Sequence, residues 1–302
     1  MNEIKKILIA NRGEIACRII STCRELDVKT VAIYSTDESA ANHVLIADES
    51  FELEGNDLAS TYLNIKQIIN AAKTFEVDAI HPGYGFLSEN SKFCSEVEKA
   101  GLVFIGPESS SIDLMGDKMA SKKKMMEIGV PVIPGYHGDN QDLESLRKQA
   151  KIIGYPVLIK ATAGGGGKGM RIVEKEEDFS ADLDSAKREA LSAFGNDHVL
   201  LEKFIQSPRH IEVQVLSDTH GEHLHLYERE CSIQRRYQKI IEETPSVALD
   251  EKLRSEMCEV SLKITSAIGY RGVGTVEFIL DENGAYYFLE MNTRLQVEHA
   301  IT

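Results

Sequence analysis

Cysteine and proline are scarce in the 302-residue chain, at five and seven residues. The cysteines (Cys17, Cys23, Cys94, Cys231 and Cys258) are odd in number and lack CxxC or Cys/His ligand spacing. A disulfide framework and a structural zinc are therefore excluded, and reduced thiols of a cytoplasmic protein are expected. Long apolar runs are missing too. The opening MNEIKKILIANRGE has only Ile7 to Ala10 before Asn11 and Arg12, too little for a signal-peptide core, and no stretch approaches a membrane span. Basic residues are the minority, 34 Lys+Arg against 48 Asp+Glu for a net charge of −14. Such a field repels phosphate backbones and anionic lipid, so nucleic-acid and membrane partners are set aside. No G-x-S-x-G elbow occurs, which leaves Ser/His/Asp hydrolysis without support, and His43, His198, His220, His223 and His225 show no ligand spacing. What remains is an acidic globular protein with 42% hydrophobic content, long enough for two or three core-forming layers.

The first third alternates short β-branched runs with amphipathic segments. KILIA and KTVAIYS flank a helix near Glu14 to Leu26, whose Ile15, Ile19, Cys23 and Leu26 form one stripe. A helix near Ile65 to Phe75, the strand VDAIHP, a helix from Asn90 to Ala100 and LVFIG continue the series. Repeated βα units predict a mostly parallel sheet with helices on both faces. After IPGYHGDN the rhythm changes to a compact α+β unit: a helix near Leu143 to Ile153, YPVLIK, a glycine loop, GMRIVEK, a long helix to about Phe194 and HVLLEKFI. Beyond Pro208 the pattern reads as antiparallel, with HIEVQVLSD, EHLHLYERE, a helix near Glu251 to Ile268, then TVEFIL and AYYFLEMN joined by DENG. The final VEHAIT reads as the interior of functional sequence, so a fragment boundary is expected there.

AGGGGKGM, Ala163 to Met170, gathers five glycines and Lys168 between two strands, where backbone N–H groups can approach an anion with no Cβ in the way. Walker A fails because Gly169 follows Lys168, and the GxGxxG match leads into a strand rather than a helix, so the Rossmann anion site is missing. A phosphate cover remains, with Lys160 ending the preceding strand.

Pairing TVEFIL with AYYFLEMN across a four-residue loop sets Glu277 opposite Glu290, with Asn292 next on the same face. Two carboxylates about 4 Å apart repel by roughly 4 kcal/mol at a surface dielectric, a penalty that a hard dication removes. An all-oxygen donor set favours Mg²⁺ or Mn²⁺ over Zn²⁺, and a phosphate chain would complete the octahedron. In NTRLQVEH, strand alternation would keep Asn292, Arg294, Gln296 and Glu298 on one face, either an exposed edge or an active-site wall. SIQRRYQK brings Gln234, Arg235, Arg236 and Lys239 together, a local basic patch able to hold a small anion in an otherwise acidic chain.

ANRGEIACRI, HPGYGFLSEN, FIGP with MGDK, KATAGGGGKGMR, ERECSIQRR and FLEMNTRLQVEH, in this order, resemble the biotin carboxylases of the ATP-grasp superfamily, from about residue 4 to the last. The resemblance implies an α/β plus α+β chain: a parallel-sheet pre-ATP-grasp domain (1–115), a connecting helix (116–130), a lid carrying the glycine loop (131–203) and an antiparallel ATP-grasp subdomain (204–302) lacking its C-terminal part. It implies ATP- and bicarbonate-dependent carboxylation of biotin through carboxyphosphate. Lys118 and Lys160 would contact ATP phosphates under the loop of Gly165, Gly166 and Gly167 with Met170. Glu202, Lys203 and Ile205 would hold adenine, with His210 and Gln234 near the ribose. Glu277, Glu290 and Asn292 would ligate Mg²⁺ or Mn²⁺, and Lys239, Arg294, Gln296 and Val297 would bind bicarbonate. Glu298 would take the bicarbonate proton, Arg294 would hold carboxyphosphate and the biotin enolate, and Tyr84 would pack beside the biotin ring. Implied partners are a biotin carboxyl carrier, a carboxyltransferase and a second copy as a homodimer. The chain departs from the family where Tyr237 stands in place of His, where Ala300 in VEHAIT replaces Pro, and in ending where relatives continue. A carbamoyl-phosphate-synthase-like ligase and a non-catalytic ATP-binding fragment are the alternatives.

Overall fold

The computed structural model describes residues 3–162, 170–235 and 238–302. Its strands are β1 (Lys6–Ile9), β2 (Lys29–Ser35), β3 (Glu49–Leu53), β4 (Ala79–His81), β5 (Val103–Phe104), β6 (Gly135–Tyr136), β7 (Val157–Ala161), β8 (Arg171–Val173), β9 (Val199–Lys203), β10 (Arg209–Ser217), β11 (His223–Arg235), β12 (Gln238–Glu243), β13 (Gly272–Leu280) and β14 (Tyr286–Asn292). Helices are α1 (Gly13–Glu25), α2 (Asn42–Ile46), α3 (Ile65–Thr74), α4 (Ser91–Lys99), α5 (Ser109–Gly116), α6 (Lys118–Glu127), α7 (Leu143–Ile153), α8 (Phe179–Phe194) and α9 (Glu251–Ala267). They fall into two compact units, one of residues 1–130, 210–278 and 290–302, the other of residues 131–209 and 279–289.

In the first unit, β1 to β5 make a parallel sheet in the order β3-β2-β1-β4-β5. Ile7, Leu8 and Ile9 are all buried because β1 is central and covered on both faces, which is why it reads as a continuous apolar run. Of the predicted stripe of α1, Ile15, Ile19 and Cys23 are buried against the sheet together with Ala16 and Ile20, whereas Leu26 is the C-cap beyond the helix and 68% exposed. Asn64 and Asn90 cap α3 and α4 with their side chains. Ile7 pairs with both Thr30 and Ala79, so the chain turns outward in opposite directions from β1, and the carboxyl ends of β1 and β4 meet at the switch point. Crevices at such points are where doubly wound sheets bind ligands.

The second sheet has the order β12-β11-β10-β13-β14. Its period-2 alternation sorts two sets of side chains. Ile211, Val213, Val276 and Phe278 are fully buried apolar positions, whereas Glu212, Gln214, Arg229, Thr275 and Glu277 are equally buried polar ones. Glu212 pairs directly with Arg229 across β10 and β11. The chain thus buries one polar row beside an apolar one.

The other unit is a four-stranded antiparallel sheet, β6-β9-β7-β8, packed by α7 and α8 over Leu146, Val157, Ile159, Phe179, Leu183 and Leu201. Alternation along β7 buries Val157, Ile159 and Ala161 and leaves Leu158 and Lys160 on the other face.

Two readings from the sequence need correction. The segment after SIQRRY, for which no element was expected, is strand β12, and Lys239 of the basic cluster lies on it. The ladder of NTRLQVEH is not a strand: β14 ends at Asn292, a bend follows, and a 3₁₀ turn runs Val297–Ile301. Buried Gln296, which must satisfy its amide from two sides, is better served by the irregular backbone than by an edge strand.

Candidate active site

Lys239, on the short β12, reaches into the buried polar row. Its ammonium donates to Glu298 Oε1 at 2.6 Å and to Glu277 Oε1 at 3.3 Å, and it pairs with Glu212 Oε1. Burial alone would pull the Lys239 pKa down, but Glu277 and Glu212 together hold it above the usual lysine range. It is a fixed cation.

Glu277, on β13, is the hub. Its Oε1 accepts from Asn292 Nδ2 at 2.6 Å and Gln296 Nε2 at 3.0 Å, and its Oε2 lies 2.6 Å from His210 Nε2. Gln234 donates to His210 Nδ1 at 2.8 Å, which leaves the Nε2 proton for Glu277. Burial raises the Glu277 carboxyl, but the donors led by His210 outweigh it and the net shift is downward. Glu212 moves the opposite way, because burial and the charge of Glu277 outweigh Lys239 and Arg229. Two buried carboxylates share one ammonium, and the surroundings favour the charged form of Glu277 more than that of Glu212. Glu298 also lies below the usual range: burial raises it and the Lys239 hydrogen bond more than offsets this.

Besides the dication expected there, Lys239, His210 and two amides answer the Glu277 charge. Glu290 differs. Its carboxylate is half-buried, makes no hydrogen bond or ion pair to a described residue, and is raised by burial and by Glu277. That carboxylate, with the oxygens of Glu277 and the Asn292 amide, is a hard donor set that fits Mg²⁺ or Mn²⁺. A ligand atom each from His210, Glu212 and Glu277 also lie within 4.8 Å of one another. Lys239 faces that same space.

Arg294 is held by Glu89, with Nε 2.9 Å from Oε2, and its Nη2 donates to Asn292 Oδ1 at 3.0 Å. Val297 is exposed. Lys118, the first residue of α6 after the Asp117 cap, is exposed and its charge pulls the Glu290 pKa down. Tyr84 donates to Glu14 Oε2 at 2.9 Å, and burial and Glu14 push its phenol up to about 12.

In the other unit, Lys160 pairs with the buried Glu202 as diagonal neighbours on β7 and β9. Lys203 Nζ donates to the carbonyls of Gly154 at 2.8 Å and Tyr155 at 2.9 Å, and Ile205 is half-buried just beyond β9. Met170 is half-buried where description resumes; Gly165, Gly166 and Gly167 with Lys168, and Arg236 and Tyr237, lie outside the described residues.

Arg229, Glu212 and Glu89 were missed. Arg229 is fully buried and donates to Glu212 Oε2 at 2.8 Å, Gln214 Oε1 at 2.9 Å, Thr275 Oγ1 at 3.0 Å and Gln296 Oε1. No local signal marks Glu212 or Arg229: in HIEVQV Glu212 alternates with apolar neighbours as an exposed strand residue would, and in YERE the charged residues are consecutive.

Residues 3–112 match the family described as "Biotin carboxylase, N-terminal domain", and residues 117–302 that described as "Carbamoyl-phosphate synthase L chain, ATP binding domain". The chain is 54% identical over 299 residues to the mitochondrial methylcrotonoyl-CoA carboxylase subunit alpha of Dictyostelium discoideum, covering 99% of this chain and 43% of that protein. It is 50% identical over 300 residues to biotin carboxylase 1 of Bacillus subtilis (strain 168), covering 99% of this chain and 67% of that one. A solved structure of the biotin carboxylase domain of Hydrogenobacter thermophilus 2-oxoglutarate carboxylase, a dimer in complex with MgADP, ADP and bicarbonate, superposes with a TM-score of 0.85 at 50% identity, covering 99% of this chain and 66% of that chain. The chain thus spans less than half of the first relative and about two thirds of the other two.

Proposed function

The chain belongs to the biotin carboxylase family, and from that membership we propose that it activates bicarbonate with ATP and passes the carboxyl group to N1 of a biotin borne on a carrier protein. The observation that carries this reading is the contact of Lys239 with Glu298 beside Glu277, Gln296 and Arg294. It sets a permanent cation next to an ionised carboxylate, the pair needed to bind a small oxyanion and remove its proton. A bicarbonate that takes the Lys239 hydrogen bond releases Glu298 from its partner and so raises its basicity toward that of a useful general base. Glu298 then accepts the bicarbonate proton, the oxyanion attacks the γ-phosphorus, and ADP leaves with the electron pair of the broken P–O bond. Arg294 offers a planar fork for the carboxyphosphate formed. Lys118 and Lys160 neutralise phosphate oxygens, the role lysines serve in phosphoryl transfer. Glu277, Glu290 and Asn292 would hold Mg²⁺ or Mn²⁺, which when bound supplies charge neutralisation of the phosphate chain.

Within this reading residues 1–115 are the N-terminal domain, 116–130 a connecting helix, 131–203 the lid and 204–302 the ATP-grasp subdomain. Gly165, Gly166, Gly167 and Met170 cover the phosphates, Glu202, Lys203 and Ile205 receive adenine, His210 and Gln234 sit by the ribose, Val297 adjoins bicarbonate and Tyr84 meets biotin. A carrier protein, a carboxyltransferase and a second copy of the chain are the partners. The five free cysteines suit a reducing compartment such as the cytoplasm. The decisive test is Glu298→Gln. Bicarbonate-dependent ATP cleavage should disappear with ATP binding retained, and full activity overturns the base assignment.

The match of residues 117–302 to the carbamoyl-phosphate synthase family favours one other reading, a ligase that phosphorylates bicarbonate for a different acceptor. Stimulation of bicarbonate-dependent ADP release by free biotin separates the two, being expected here and absent there.

A further inference from the structure

The loop Pro82–Phe86 leaves the carboxyl end of β4 at the switch point and is bound from three sides by the turn that leaves β1. Asn11 is 4% exposed, and its Nδ2 donates to the carbonyls of both Pro82 and Tyr84 at 2.8 Å. Its Oδ1 accepts from the Arg12 N–H at 2.9 Å, so both its donors and its acceptor are engaged. Between the two bonded carbonyls, Gly83 sits at φ +65, and a Cβ there would lie 2.8 Å from Asn11 Nδ2. Only glycine permits that approach.

Three residues further on, Phe86 has φ +41, a conformation strained for a bulky side chain that persists only where its surroundings impose it. Here they do. The Phe86 ring stacks on Tyr62 with centroids 5.0 Å apart and planes 9° from parallel, and the Arg12 guanidinium lies 5.2 Å from the Tyr62 centroid and 5.5 Å from that of Phe86. Glu38 closes the group, accepting from Arg12 Nη1 and from the Tyr62 hydroxyl, both at 2.6 Å. A strained loop over-determined by its neighbours points to a held geometry, and the side chain held in its middle is Tyr84.

We propose that Asn11 and Arg12 are positioning residues that hold Tyr84 where the carboxyl acceptor docks, setting acceptor affinity without entering ATP cleavage. This rests on the reading of Tyr84 as the biotin-facing residue. Neither Asn11 nor Arg12 touches the Lys239 and Glu298 pair.

The experiment compares the parent chain with Asn11→Ala and with Arg12→Lys, which keeps the charge and loses the planar stack. Three quantities are read: bicarbonate-dependent ATP cleavage without biotin, the KM for free biotin, and amide hydrogen exchange of the 82–88 peptide. Asn11→Ala should raise the biotin KM about tenfold, the equivalent of one lost polar anchor, with basal ATP cleavage unchanged. Exchange of the loop should rise while that of β10 and β13 stays put, and Arg12→Lys should show a smaller version of both. Unchanged biotin KM with unchanged loop exchange overturns the proposal, as does a parallel fall of basal and biotin-stimulated rates with a lowered melting temperature. If the parent itself shows no biotin response, the reading of Tyr84 fails, and the exchange data alone decide whether Asn11 and Arg12 fix the loop.

Discussion

Lys239 Nζ and Glu298 Oε1 lie 2.6 Å apart, while the same ammonium faces Glu277 at 3.3 Å and pairs with Glu212. One cation therefore answers three largely buried carboxylates. Removing a single partner from a buried charged group usually costs more than the group's net worth, because what remains is uncompensated. Lys239→Met should destabilise the protein by about 3–5 kcal/mol at pH 7. Acidification distinguishes this from a packing loss. In the parent, Glu277 and Glu298 have lowered pKa values, so their contribution is present above the ordinary carboxylate range and fades as pH falls below it. In the variant Glu298 and Glu212 lose the Lys239 ammonium and take up protons more readily than in the unfolded chain, so stability should recover between pH 7 and pH 5. Thermal melts of both proteins across that range check it, and equal slopes would sink the idea.

Arg229 carries the next layer. Five side chains accept from it, among them Glu212, which pairs with Lys239, and Gln296, which donates to Glu277. Lysine has the charge but not the fork, and cannot reach so many acceptors from one point. Arg229→Lys should cost about 3 kcal/mol in urea denaturation at unchanged m-value, with the bicarbonate-dependent rate reduced more than nucleotide binding.

Why was Lys239 legible and Arg229 not? Periodicity exposed the parallel βα series, the antiparallel strands and the α1 stripe, because in each the buried face is apolar and the period is clean. Hairpin geometry and an unusually polar run flag Glu277, Asn292 and Gln296, which the fold brings into hydrogen-bond contact. In β10 and β11 the rule inverts. Glu212 and Arg229 neutralise each other across a register that no local pattern reveals, so each reads in sequence as an exposed strand residue. The strand β12 was hidden for a related reason, its Ile240 and Ile241 being exposed and its Lys239 turned inward. Tertiary pairing also broke the expected strand after Asn292, where Gln296 is drawn to Arg229 and Glu277 at once.

Glu290 offers a direct test of cation binding. Its carboxylate is raised by burial and by Glu277, and no described residue donates to it. A divalent ion held by Glu290 would reverse that penalty. In the parent, a nucleotide with Mg²⁺ at a hundredfold excess over its dissociation constant should stabilise the fold by about 2.7 kcal/mol. Glu290→Gln keeps the volume and removes the charge, so most of the Mg²⁺-dependent part should vanish while the metal-free protein becomes no less stable. Differential scanning calorimetry with and without Mg²⁺ reads both, and an undiminished Mg²⁺ effect in the variant argues against Glu290 as a ligand.

The remaining prediction concerns His81 at the end of β4. Burial pulls its pKa down to about 4. Its Nδ1 accepts the Gly83 N–H at 3.0 Å, so the neutral ring carries its proton on Nε2, and a second proton on Nδ1 would have to face an N–H donor. A histidine with a folded pKa below its unfolded one favours the native state while both forms are neutral. Below the unfolded value near 6.5 the unfolded chain binds the proton first, so stability falls as pH drops toward 4. A gap of this size amounts to about 3 kcal/mol across the window, an upper figure given partial solvent access. His43, also lowered by burial, stays in both proteins and cancels in the comparison. His81→Gln, whose Oε1 can accept from Gly83, should therefore lose less stability than the parent between pH 6.5 and 4. Urea midpoints at the two ends of that range decide it, and parallel lines would mean that the His81 proton is not what acid attacks.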